Sequence, residues 1–416
     1  MIGAQLQTET FHTIAPDLQT TQGQDVIAPS VAPFIAKVER LTVSNFRCYE
    51  QARIETAGRP VVLSGSNGAG KTNILEAVSL LTPGRGLRRA KLSEMSRQTI
   101  GNSSKSWGVA AKVATTDGFI DLGTGLAEAG AEKRTVRIDG ETVKNQSALA
   151  DYMDVQWLSP QMDRLFSDGK SARRRFLDRL VFGYDPAHAG RINSYEHAMR
   201  ERAKLLRDGV DDKTWLASLE ETMASKGIAV AAARLELSER LGQYCRAAHG
   251  PFPGAGLSIA GDVENWLQDG PALNAEENLR AALVNSRPSD AITGGARQGP
   301  HRSDLHVRHL GKDQAAEQCS TGEQKALLIS IVLADARMTA AERGRVPVLL
   351  LDEVAAHLDR ERREALFDEL LALGAQAWLT GTDKNLFEPL TEHACFISVN
   401  DATLTPPSIP ILETVK

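Results

Sequence analysis

Cysteine is scarce in this chain: four in 416 residues, Cys48, Cys245, Cys319 and Cys395, all far apart. That spacing excludes the close cysteine pairs of zinc and redox motifs and points to a reducing compartment, so a cytoplasmic protein is expected. Aromatic residues are also few, 5% of the total, which argues against a ring platform for stacking single-stranded bases. No apolar run approaches the ~20 residues needed to span a bilayer. The first residues lack a basic start followed by an apolar stretch, so no secretory signal is expected. There is no internal repeat and no sustained heptad array. The net charge of -5 leaves nucleic-acid binding open, because local patches matter more than totals.

What remains is an ordinary globular composition, 42% hydrophobic and 24% charged, with length for two or three domains. Residues 1–35, rich in Gln, Thr, Ala and Pro, read as a disordered tail or a start assigned too early. Residues 36–160 read as an N-terminal lobe, mostly strands with one helix. Strands are expected at "AKVERLTVSNF" and "PVVLSG", a helix at "TNILEAVSLL", and hairpins turning at Asp117–Gly118 and Asp139–Gly140. Residues 161–298 read as an inserted helical lobe, interrupted by a Pro/Gly-rich break at 250–256. Residues 299–416 return to α/β character: a helix over about 322–339, the strand "VPVLLLDE", the helix "DRERREALFDELLAL", and strands at "AQAWLTGTD" and "ACFISV". The fold class is therefore α/β, with an antiparallel β subdomain.

One motif carries specific chemistry. "GSNGAGKT", Gly65 to Thr72, fits G-x-x-x-x-G-K-[ST] between a predicted strand and a predicted helix. The run Gly65, Ser66, Asn67, Gly68, Ala69 and Gly70 lets backbone N–H groups close around phosphate oxygens, and the helix N-terminus adds a positive dipole end. Lys71 supplies a point charge to the β- and γ-phosphates, and the Thr72 hydroxyl is suited to hold Mg²⁺. Further on, Asp352 and Glu353 stand at the carboxyl end of the apolar strand, the edge where ligands gather in open α/β sheets. Asp352 is assigned to Mg²⁺ and Glu353 to water activation as a general base. The Asp–Glu doublet argues for an ATPase that hydrolyses its nucleotide.

"CSTGEQKALLIS", Cys319 to Ser330, opens a helix. Ser320 and Glu323 form a capping box, yet a helix start offering hydroxyl and N–H groups is also an anion site. The order "GSNGAGKT", "STGEQK", "LLLDE" and "AHLD" resembles the ABC-type ATPase head. Together with "LTVSNFRCYE", "GRGLRRAKLSEM", "SPQMDRLFSDGKSARRRFLDRLVFG", "YEHAMRERAKLLRDG" and "GPHRSDL", it resembles the RecF family of bacterial recombination mediators, within the ABC/SMC class. The resemblance covers most of residues 36–385.

The resemblance implies a P-loop ABC-type head with an antiparallel β subdomain and an inserted helical lobe. It also implies a protein of DNA repair, replication and the SOS response. Such a protein is a slow ATPase that dimerises with ATP, binds double-stranded or gapped DNA, and works with RecO and RecR to place RecA. Carried onto this chain, it puts ATP on residues 65–72 and Mg²⁺ on Thr72 and Asp352. Catalysis falls to Glu353, Asp352 and Lys71. Ser320 and Gly322 act on the nucleotide of a second subunit. Arg47 lies beside the nucleotide, and Gln161 is a candidate for the γ-phosphate-sensing loop. His357 reads either as a γ-phosphate sensor or as a packing residue. His301, Arg302 and Asp304 read either as a coupling element or as a polar turn.

Between Lys170 and Arg207 there are ten Lys/Arg against four Asp/Glu. Lys170, Arg173, Arg174 and Arg175 are the expected DNA contacts, neutralising phosphates without reading bases. A second cluster is Arg85, Arg88, Arg89 and Lys91. The alternative is a solvated helix face paired to Asp178 and Glu196. Two other functions share parts of the pattern: the ATPase subunit of a membrane transporter, and an SMC-like structural head. The long helical insertion and Glu323 speak against the first, and the lack of heptads between the two nucleotide motifs against the second.

Overall fold

The computed structural model describes residues 34–99, 102–103, 106–127, 133–210 and 212–405. The expected tail lies almost wholly outside them; only its last two residues are described, as the short strand Phe34–Ile35 beside Arg345–Val346.

Two six-stranded sheets organise the head. The first is nearly all parallel, in the spatial order Val155–Leu158, Val348–Leu351, Ala377–Gly381, Val61–Ser64, Cys395–Asn400 and Thr403–Thr405, with only the last strand antiparallel. Its central strands are continuous apolar runs because both faces are covered. Val61 and Leu63 pack into one core, with Ile74, Leu75 and Val78 of the helix Lys71–Ser79. Val62, Leu349 and Leu351 pack into the other, with Leu327, Ile331 and Leu366 of the helices Thr321–Arg343 and Arg360–Ala372.

The second sheet is antiparallel, ordered Glu141–Val143, Thr135–Ile138, Gly118–Leu126, Trp107–Thr115, Lys37–Phe46 and Tyr49–Glu55. Along Lys37–Phe46, Val38, Leu41, Val43 and Phe46 join the first core; the alternation is interrupted between Val38 and Arg40, where the pairing register shifts. The hairpin expected to turn at Asp117–Gly118 turns one residue earlier. Thr115 pairs directly with Gly118, leaving Thr116 and Asp117 as the loop. The Asp139–Gly140 turn stands where expected, both residues having positive φ (47° and 83°) as a two-residue hairpin loop requires.

The helical lobe holds Lys170–Tyr184, His188–Arg207 and Lys213–Cys245, then Asp262–Asp269 and Ala272–Thr293. The 33-residue helix Lys213–Cys245 is about 50 Å long at 1.5 Å per residue. Tyr195, Ala198, Met223, Ala224, Ile228, Leu279 and Leu283 form a separate arm core. The Pro/Gly-rich break is more than a break: Ala255–Ala260 is a strand, antiparallel to Asp304–His309 across "GPHRSDL".

Candidate active site and nucleic-acid surface

The sheet order explains the site. The strand before the phosphate loop, Val61–Ser64, and the acidic strand, Val348–Leu351, are separated by one strand, Ala377–Gly381, and all three run the same way. Their carboxyl ends therefore present residues 65–72, Asp352–Glu353 and Thr380 along one edge. Gly65 N–H donates to the Gly381 carbonyl at 3.2 Å, and Ala402 N–H donates to the Ala69 carbonyl at 3.0 Å, which fixes the loop at both ends. Gly65 cannot carry a side chain, since a Cβ would lie 2.1 Å from the Val399 carbonyl oxygen. Gly70 caps the following helix with φ of 116°, and a Cβ there would meet the Tyr49 hydroxyl at 2.6 Å.

Lys71 reaches back over the loop and donates to the Gly65 and Ser66 carbonyls at 2.7 and 2.8 Å. Burial holds its pKa below the usual value, against the opposing pull of Glu353 and Asp352. The Thr72 hydroxyl lies 3.0 and 3.1 Å from the two Asp352 carboxylate oxygens. Burial lifts the Asp352 pKa, and the hydrogen bonds from Thr380 and Thr72 oppose that rise. A hydroxyl at the start of the helix Lys71–Ser79 and a carboxylate just past the strand Val348–Leu351, 280 residues apart, form an oxygen-only donor set, the kind that suits a hard divalent cation. Glu353 has φ of 54°, a left-handed conformation. Its N–H donates to Thr380 Oγ1 at 2.8 Å, and Thr380 Oγ1 donates in turn to Asp352 Oδ1 at 2.8 Å. Thr380 is not among the residues the sequence singles out, because a lone hydroxyl in the apolar run "AWLTG" gains meaning only from its partners in the fold.

The remaining expected residues divide. Arg47 is near the loop but committed inward. It forms a two-pronged ion pair with Glu76, at 2.7 and 2.6 Å, and donates to the Glu94 carbonyl at 2.8 Å. Gln161 is exposed, three residues past the end of the strand Val155–Leu158 that borders the acidic strand. Ser320 caps the helix Thr321–Arg343: Glu323 N–H donates to its hydroxyl at 3.4 Å, and Ser320 N–H donates to the Glu323 carboxylate at 3.0 Å. Glu323 also pairs with Lys312, and the two sets of bonds hold its pKa down at about 2. Among the described residues, a Cβ on Gly322 would meet Arg362 at an ordinary 3.7 Å, and none of them crowds that position. His357 is exposed. The His301 ring bridges the Tyr195 hydroxyl at 2.7 Å and the Ala296 carbonyl at 2.9 Å, and burial pushes its pKa down to about 4.

The basic patch needs correcting. Arg173 is buried, with two bonds to Asp304 at 2.7 and 2.9 Å and others to the Phe166 and Asp168 carbonyls. It is a structural cation, unavailable to a phosphate. Arg174 is half-buried and donates to the Ser303 carbonyl at 2.7 Å. Lys170 and Arg175 are exposed. Asp178, taken as a surface partner, is buried against Arg234 and His188. In the second cluster Arg85, Arg89 and Lys91 are exposed, while Arg88 also bonds Asn73 and Glu76.

Comparison with known proteins follows the same lines. Residues 37–403 match the family model of the RecF/RecN/SMC N terminal domain. The chain is similar to the DNA replication and repair protein RecF of Mesorhizobium japonicum, 46% identical over 377 residues that cover 90% of this chain and 99% of that one. It is also similar to the protein of the same name from Caulobacter vibrioides, 48% identical over 375 residues, covering 88% and 97%. A solved structure of the recombination mediator protein RecF-ATPrS in the RecFOR pathway superposes with a TM-score of 0.78 at 22% identity, covering 90% and 98%. An Smc head domain from Pyrococcus furiosus gives 0.50 at 16% identity, covering 89% and 95%. The expected α/β ABC-type head is the fold they share with this chain.

Proposed function

The chain belongs to the RecF/RecN/SMC family, and from that premise we propose that it is a DNA-repair ATPase of the RecF type. Two copies close on two ATP molecules, bind duplex or gapped DNA, and assist RecO and RecR in placing RecA. The carrying observation is the meeting of Thr72 with Asp352 at 3.0 Å, beside the phosphate loop and Glu353.

Residues 65–72 bind the ATP phosphates through backbone N–H groups and the helix N-terminus. Lys71 exchanges its two loop carbonyls for phosphate oxygens. Thr72 and Asp352 would hold Mg²⁺, which when bound neutralises charge on the phosphate oxygens. Glu353 orients the attacking water and accepts its proton. Gln161 and Arg47 are assigned to the same nucleotide. Ser320 and Gly322 complete the nucleotide site of the other copy. Slow hydrolysis separates the copies. Lys170 and Arg175, with Arg85, Arg89 and Lys91, supply phosphate contacts.

Sedimentation tests the sandwich. Glu353→Gln is expected to bind ATP, lose turnover by at least ~100-fold, and accumulate as a dimer in Mg-ATP. A variant that stays monomeric at saturating Mg-ATP would sink the two-copy site.

A further inference from the structure

The strand Ala377–Gly381 lies between the phosphate-loop strand and the acidic strand, and takes part in neither motif. Its residues Ala377, Trp378 and Leu379 are buried and apolar. Thr380 follows them, fully buried, and a hydroxyl there must be paired. Its pairing is directional. Glu353 N–H donates to Thr380 Oγ1, and the single hydroxyl proton then goes to Asp352 Oδ1, both at 2.8 Å. One side chain thus ties the backbone of Glu353 to the carboxylate of the residue before it, Asp352.

Each end of that link has a further consequence. Glu353 sits at φ of 54°, disfavoured for a residue with a side chain, and its N–H bond to Thr380 fixes that conformation. At Asp352, the Thr380 bond fixes Oδ1 while Thr72 approaches from the phosphate loop. The hydroxyl therefore sets both the rotation of the cation-binding carboxylate and the direction in which Glu353 leaves the strand.

We infer that Thr380 is a positioning residue for ATP hydrolysis, aligning Asp352 and Glu353 as a pair through one hydroxyl. The inference rests on the proposed ATPase reading. It predicts that removing the hydroxyl at constant volume harms turnover far more than nucleotide binding.

The test compares wild type, Thr380→Val and Thr380→Ser in three measurements: ATP turnover, equilibrium binding of a fluorescent ATP analogue, and the Mg²⁺ concentration that supports half-maximal binding. Thr380→Val is expected to lose turnover by about 10–100-fold, the loss of one or two buried hydrogen bonds. Its analogue affinity at saturating Mg²⁺ stays within about threefold, while its Mg²⁺ requirement rises several-fold. Thr380→Ser keeps all three values within about threefold, because the hydroxyl is retained. Wild-type turnover in Thr380→Val, or a loss in Thr380→Ser as deep as in Thr380→Val, overturns the inference. A wild type that binds no ATP analogue and shows no turnover sinks the ATPase reading and this inference together. An active wild type beside an equally active Thr380→Val sinks only the inference.

Discussion

The sheet edge and the helical arm both bury charge, and they do so in opposite ways. In the arm, Arg202 is fully buried and held by two carboxylates: it bonds Glu220 at 2.9 Å, Asp290 at 2.8 Å and the Leu283 carbonyl at 2.5 Å. Arg287 closes on the same Glu220. At the sheet edge, among the described residues, the buried Lys71 ammonium meets backbone carbonyls and the Asp352 carboxylate meets hydroxyls, and neither has an ion-pair partner there. A charge whose partners are opposite charges is fixed in place; one whose partners are neutral dipoles can exchange them for a ligand. The distinction lies in the partners rather than in burial, and it separates scaffold from site here.

The contrast predicts a ranked series of effects. Arg202→Ala leaves Glu220 and Asp290 buried without their cation, and is expected to destabilise the protein by about 3–5 kcal/mol in urea unfolding. A loss below 1 kcal/mol would mean that the arm network is as exchangeable as the site.

His301, at the join of arm and head, gives a pH signature. Its folded pKa near 4 lies below the ordinary 6.5, so the unfolded chain takes up the proton first. Its contribution is intact above pH ~6.5 and fades as the pH falls toward 4, by up to about 3 kcal/mol. Melting temperatures across that window should fall in wild type and flatten in His301→Gln. Parallel curves would place the acid sensitivity elsewhere.

At the sheet edge, Lys71→Ala should weaken ATP-analogue binding by about 100-fold, or about 2.7 kcal/mol, while leaving nucleotide-free melting almost unchanged. A large drop in melting temperature would make Lys71 a scaffold charge like Arg202. The smallest effect belongs to the surface. Lys170→Glu with Arg175→Glu should weaken duplex binding about tenfold and reduce the salt slope by about two, without altering stability. Arg173→Glu should instead lower stability, because it breaks the Asp304 pair. Equal stability in these two variants would erase the division drawn between them.

The same division explains what the sequence discloses. The phosphate loop and the Asp352–Glu353 doublet are legible because each is a short, contiguous run with a fixed spacing next to an apolar strand. The parallel strands are legible as apolar runs. Arg173 misleads because its partner, Asp304, lies 131 residues away, and a local charge count cannot see that pairing. Strand Ala255–Ala260 hides among prolines and glycines for a similar reason: it exists by pairing with Asp304–His309. Thr380 is silent because a single threonine at a strand end has no signature until its neighbours are known.

The sheet order also bears on how the chain is made. Val61–Ser64 has two neighbours, Ala377–Gly381 and Cys395–Asn400, both near the other end of the sequence. At the ~5–20 residues per second of translation, that strand waits roughly 15–60 s for its first partner. During that interval the nascent phosphate loop cannot fold, and "VVLS" remains an unpaired apolar segment open to chaperones. The strand that leads into residues 65–72 is thus among the last of its sheet to find its neighbours.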